Sequence, residues 1–179
     1  MSETHFDSKA PLLAIRIYPD PVLRKVARPV KEADMEEVRK LVPSMLATMY
    51  KAPGIGLAAT QVGNLLRVMV LDVAGQDEEP APMVLLNAEI ISASEETATQ
   101  QEGCLSIPDQ YGDVTRPARV KVRYQDMQGI KREIEGEGLL AACLQHELDH
   151  LNGVLFVDHM SALKRNMLLR KLAKSLKEH

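Results

Sequence analysis

The pattern best suited to chemistry is His146-Glu147-Leu148-Asp149-His150. Residues four apart on an α-helix share one face, about 6 Å apart along the axis. Two imidazoles so placed can ligate one metal ion, while the glutamate between them reaches a water molecule. The plain alternative is a surface pair of histidines among ordinary charged neighbours. Against it stands the run Leu139-Leu140-Ala141-Ala142-Cys143-Leu144 just before the motif. A helix apolar on nearly every side is a buried one, and buried His and Glu need partners.

Two histidines do not make a site, so a third ligand has to be sought. The sequence continues Leu151-Asn152-Gly153, but Phe156 stands where a metzincin would carry its third histidine, which excludes that class. Cys143 shares a helix face with both histidines yet lies seven residues from His150. That is about 10 Å of rise, against metal bonds of about 2.0–2.3 Å, so Cys143 reads as a small core residue. Cys104, His159 and Asp158 remain. Cys104 sits in Glu102-Gly103-Cys104-Leu105-Ser106-Ile107-Pro108, where Pro108 is expected to end any strand. A thiolate there would give a Cys-His-His set with one open position, the form of a catalytic ion. Taken alone, the segment reads better as a buried structural cysteine. A further segment, Gly54-Ile55-Gly56-Leu57-Ala58-Ala59-Thr60-Gln61, lets backbone approach a ligand closely. It lacks the Lys-Ser/Thr ending of a phosphate loop, and by itself it is most simply a tightly packed stretch.

The elements that would position these residues follow from periodicity. Apolar residues from Met35 to Met49 recur at three- and four-residue steps, which predicts a helix over 34–51 that Pro43 should kink or shift. Strands are expected at 67–73, 83–92, 120–124 and 130–134, with a hairpin loop at 125–129. The chain at 17–30 carries three prolines and should be irregular, and 75–82 reads as a polar loop. The buried helix spans 139–151, and a third helix starts at Ser161 as N-cap and runs to near the C-terminus. Such an order gives an α+β fold, antiparallel β-sheets packed around a central buried helix, with a C-terminal helix. Residues 1–14 form a loose arm and 15–179 a single catalytic domain.

Bulk properties narrow the setting. With 179 residues, 45% hydrophobic and 26% charged, the chain can bury one core. No apolar stretch is long enough for a bilayer, and no secretory signal is visible, so no membrane partner is expected. Two cysteines suggest no disulfide framework, which fits a cytoplasmic protein. Aromatics at 3% and no Trp argue against a base-stacking surface and a DNA partner. Residues 161–179 carry six basic residues and one acid within a chain of net charge −3. That tail could meet an anionic partner, although a solvated helix face is the simpler reading.

Taken together, the three segments resemble the peptide deformylase family, whose motifs are G-x-G-L-A-A-x-Q, E-G-C-L-S and Q-H-E-x-x-H. They stand in that order at 54–61, 102–106 and 145–150, and the likeness extends through Tyr18-Pro19-Asp20, Leu23-Arg24 and Glu137-Gly138-Leu139-Leu140. One departure is local: the family usually has a proline after the Asn of its middle strand, and here Asn87 is followed by Ala88. The resemblance implies metal-dependent hydrolysis of the formyl group from formyl-Met nascent peptides, with release of formate. It implies Cys104, His146 and His150 as metal ligands, Glu147 as acid and base, and the Gln61 amide and Leu105 N–H as oxyanion donors. Gly56 would hold the peptide, and Ile55 and Leu139 would wall a pocket for the Met side chain. Ferrous iron (Fe2+) is implied as native ion, with Zn2+, Ni2+ or Co2+ possible on the same donors. The basic tail would meet the ribosome, and a monomer is the default. Rival readings are a zinc endopeptidase, a metal-stabilised binding module and a cysteine hydrolase.

Overall fold

The computed structural model describes residues 9–178. In chain order its elements are α1 (Met35–Lys51), β1 (Gly56–Ala58), β2 (Val68–Leu71), β3 (Met83–Ala93), β4 (Thr97–Cys104), β5 (Ile107–Pro117), β6 (Arg119–Gln125), β7 (Lys131–Glu137), α2 (Gly138–Leu151) and α3 (Ala162–Lys177). Strand β2 is buried at all four positions, so it must be covered on both faces. Alternation decides which residue meets which cover. Val68 and Val70 pack with Val38, Val42, Met45, Leu46 and Met49 of α1. Met69 and Leu71 pack with Ala141, Leu144, Leu148 and Leu151 of α2. Helix α2 is therefore apolar because it fills the space between the sheet and the rest of the molecule.

The main sheet has the order β1-β2-β3-β6-β7, antiparallel throughout, and β4-β5 form a separate two-stranded sheet. This is the expected α+β class. A third cluster joins Ile107 and Val114 of β5 to Phe156, Val157, Leu168 and Leu172, which seats α3 against the hairpin. The Ser161 side chain accepts from the Lys164 amide and caps α3, as its type predicts. Among the described residues no helix is long and apolar enough to cross a membrane. Of the arm expected over 1–14, residues 1–8 lie outside the described residues. Leu13 donates its amide to Thr48 Oγ1 of α1 at 2.9 Å.

Helix α1 spans Met35–Lys51 and includes Pro43, its apolar face held by the core. Two local outcomes differ from the expectations. The hairpin of β4 and β5 was not foreseen, because Thr97-Ala98-Thr99-Gln100-Gln101 is polar on both faces and takes its form from pairing. Pro108, expected to end a strand, is instead the second residue of β5, a strand-start position where the missing donor is tolerated. At the Asn87-Ala88 step the register of β3 against β6 shifts, and Asn87 takes φ 53°. Its side chain holds the turn, accepting from the Val30 amide at 2.7 Å and donating to the Val30 carbonyl and Gln125 Oε1, both at 3.0 Å.

Candidate active site

Helix α2 carries His146 and His150 on one face, and their Nε2 atoms lie 3.1 Å apart. Cys104 reaches them from the end of β4, with Sγ 3.2 Å from His150 Nε2. Register sets this approach: Gly103 pairs with Tyr111, but Cys104 pairs with Ile107, so the strand breaks step between them. A Cβ on Gly103 would stand 2.6 Å from the Tyr111 ring, so a side chain there would have to displace that ring. The three ligand atoms all fall within 4.8 Å of one another. Donors sharing one ion at about 2.0–2.3 Å necessarily sit a few ångströms apart, so the set fits a cation.

Around His146 the site is charged and densely hydrogen-bonded, whereas the buried His150 Nδ1 has no hydrogen-bond partner among the described residues. The His146 Nδ1 lies 2.9 Å from Glu102 Oε1, which puts the proton on Nδ1 and leaves Nε2 for a cation. Glu102 accepts from Nε and Nη2 of Arg116 at 2.7 and 2.9 Å, and Arg116 Nη1 donates to Asp149 at 2.8 Å. Glu102 and Arg116 are both buried. Burial would raise the Glu102 pKa, but hydrogen bonds from Arg116 and His146 outweigh it and hold the carboxyl at about 2. Arg116 likewise overcomes its burial through Glu102 and Asp149 and stays a cation. Burial opposes charge on His146, yet Cys104 and Glu102 push its pKa well above the ordinary value. His150 goes well below, through burial and then the charge of His146.

Glu147 faces the other way and is also buried. Its Oε1 is 3.8 Å from His146 Nε2, and Oε2 has no hydrogen-bond partner among the described residues. Burial raises its pKa to about 7. The backbone of β1 passes directly against it: a Cβ on Gly56 would lie 3.0 Å from Glu147 Cγ and Cδ and 2.9 Å from Cys143 Sγ. Gln61, in the 3-10 turn Ala59–Val62, is held by the Ala58 amide donating to its Oε1 at 3.0 Å. Its Nε2 donates to Ser106 Oγ at 3.1 Å and lies 3.5 Å from Cys104 Sγ.

Among the other residues singled out in the sequence, Leu105 follows Cys104 in the turn between β4 and β5, beside Gly54. Ile55 and Leu139 are half-exposed. The Ile55 carbonyl accepts from the Cys143 thiol at 3.7 Å. Leu139 lies in the first turn of α2, about 10 Å along the axis from His146. Cys143 is a core residue outside the cluster, its thiol pushed well up by burial. The other candidate ligands are engaged elsewhere, Asp158 with Arg24 and His159 with Asp149. Sequence reasoning missed Glu102, Arg116, Asp149 and Ser106 as parts of the site. Glu102 could have been found, two residues before Cys104 in the same motif; Arg116 carries no signal.

A buried His-Glu-x-x-His helix meeting a thiol inside antiparallel sheets defines a metal-dependent hydrolase. A family model described as polypeptide deformylase matches residues 12–166. The peptide deformylase of Mesorhizobium japonicum is 55% identical over 168 residues, covering 94% of this chain and 95% of the relative. A peptide deformylase structure from Legionella pneumophila superposes with TM-score 0.86 at 47% identity, covering 93% of this chain and 96% of that one. A second, from Synechococcus elongatus in complex with actinonin, gives 0.84 at 46% identity, covering 91% and 88%. The chain belongs to the polypeptide deformylase family, and its activity is removal of the N-terminal formyl group from nascent peptides.

Proposed function

We propose that Cys104, His146 and His150 hold the divalent cation and that Glu147 moves the proton during hydrolysis of formyl-Met peptides. The observation that carries this reading is the meeting of three ligand atoms beside a buried carboxyl with an oxygen left without a partner among the described residues. A cation held there supplies Lewis acidity toward the formyl oxygen and lowers the pKa of water. Glu147 accepts a proton from the attacking water and returns it to the leaving amine, since an amide nitrogen leaves poorly without one. A pKa near 7 suits a group that must do both. The Gln61 amide, fixed through its Oε1, and the Leu105 N–H donate to the developing oxyanion. Gly56 in β1 offers backbone to an extended peptide, and Ile55 and Leu139 flank the Met side chain.

Thiolate and imidazole donors suit iron, zinc, nickel or cobalt, and ferrous iron is the native ion in this reading. Residues 15–179 act as one catalytic domain, monomeric and cytoplasmic. Helix α3 exposes Lys164, Arg170, Lys171, Lys174 and Lys177, with Arg165 half-buried beside them, a surface for phosphates of the ribosome. The whole reading is tested by formate release from a formyl-Met tripeptide. Release should stop with a chelator, return with Fe2+ added anaerobically, and be blocked by actinonin, the compound bound in the Synechococcus relative. Activity that survives complete metal removal would sink it.

A further inference from the structure

His159 ends the 3-10 turn Phe156–His159 that leads from α2 to α3. Its Nε2 lies 2.7 Å from Asp149 Oδ2, and the same oxygen accepts from Arg116 Nη1 at 2.8 Å. Arg116 Nη1 is also 3.4 Å from His159 Nε2, but that nitrogen is already engaged by the carboxylate. From Arg116 the path runs to both oxygens of Glu102, and from Glu102 Oε1 to His146 Nδ1 at 2.9 Å. Every link in this chain is short and involves a charged group. Its inner members are buried, whereas Asp149 is 24% and His159 34% exposed. The same turn touches His146 a second time, because the Phe156 ring stacks on it with centroids 6.2 Å apart.

We infer that His159 is a positioning residue for the metal centre, fixing Asp149 and thereby the Arg116–Glu102 pair that orients the His146 imidazole. Both bonds to Asp149 fall on one oxygen. A carboxylate released by His159 can turn toward solvent, and the Arg116 plane then loses one of its two fixed ends. Glu102 aims the ring through that plane. The inference rests on His146 being a ligand.

The test uses the full chain and cobalt alone as probe, reading Co2+ affinity and the visible absorption of bound Co2+. His159→Phe removes the donor while keeping a ring; His159→Gln keeps a donor. Groups that touch a ligating His directly typically change metal affinity by about 10–100-fold. Acting from further out, His159→Phe should weaken Co2+ binding by roughly three- to tenfold and shift the cobalt bands. His159→Gln should stay within about twofold of wild type and keep the bands. Should the Phe variant fail to fold, His159→Ala poses the same question. Wild-type affinity and bands in the donor-less variant overturn the inference, even if its metal-free melting temperature falls. So does a Gln variant no better than Phe. Failure of the ligand reading itself is visible separately, in a wild-type protein that takes up no cobalt.

Discussion

Along one flank of α2, Glu102 is buried against Arg116 and His146 and remains ionised down to about pH 2. Along the other, Glu147 is buried against the β1 backbone at Gly56, with one oxygen unbonded among the described residues and a pKa near 7. Both carboxyls are buried, Glu147 the more deeply, and only Glu102 is hydrogen-bonded to a guanidinium. Fixed positive charge makes the first a permanent anion that can hold a ligand in place. Burial outweighs the more distant charges of His146 and Arg116 at the second and raises its pKa to about 7. One flank holds and the other moves, and each assignment can be broken by substitution.

The largest effect expected is at the thiol that closes the cluster. Cys104→Ala should take bound metal from one per chain to none after dialysis, whereas Cys143→Ala should keep it with a modest loss of melting temperature. Metal retained by the first variant and lost by the second would reverse the assignment. Next comes the mobile flank. Glu147→Gln should keep metal and formyl-Met peptide binding, yet turn over at least about 100-fold more slowly. Activity within about tenfold of wild type would take Glu147 out of proton transfer, and loss of metal would move it to the holding side.

The smallest effect belongs to the holding flank. Glu102→Gln should weaken metal binding by about 10–100-fold without changing its stoichiometry. It also carries a pH signature in the metal-free protein. The Glu102 pKa is lowered from the ordinary 4.5 to about 2, so its contacts stabilise the fold fully above the unfolded value and are lost as pH falls toward 2. The melting temperatures of wild type and Glu102→Gln should therefore differ most near neutrality and converge toward pH 2. A constant gap across that range would mean that the substitution costs packing rather than charge.

Much of this was legible in the sequence, for reasons that can be named. The α2 helix announced itself because it is apolar where the sheet and neighbouring chain cover it, and the histidine spacing is a direct image of helical pitch. Strands β2, β3 and β6 were read at nearly their true places, since each has at least one apolar face, and β7 followed from the hairpin loop before it. The hairpin of β4 and β5 was not, because β4 is mostly polar and takes its form from cross-strand pairing, as at Thr99 and Thr115, while Ile107 and Val114 of β5 supply the core contacts. That hairpin delivers Cys104, Glu102 and Arg116, so the charged flank was hidden with it. Arg116 joins residues 14 and 33 positions away, a partnership that no local pattern can reveal.

The pairing of β1 with β2 sets Gly56 opposite Leu71 and Leu57 opposite Val70. Strand side chains alternate, so sliding β1 by a single step would exchange the two faces. Leu57, now buried in the α1 cluster, would then be thrust at the spot where even one carbon on Gly56 stands 3.0 Å from Glu147. The bare stretch of main chain beside the proton carrier is thus guarded by alignment: a mis-set edge strand could not close against α2, and only the correctly threaded chain lets the helix seat.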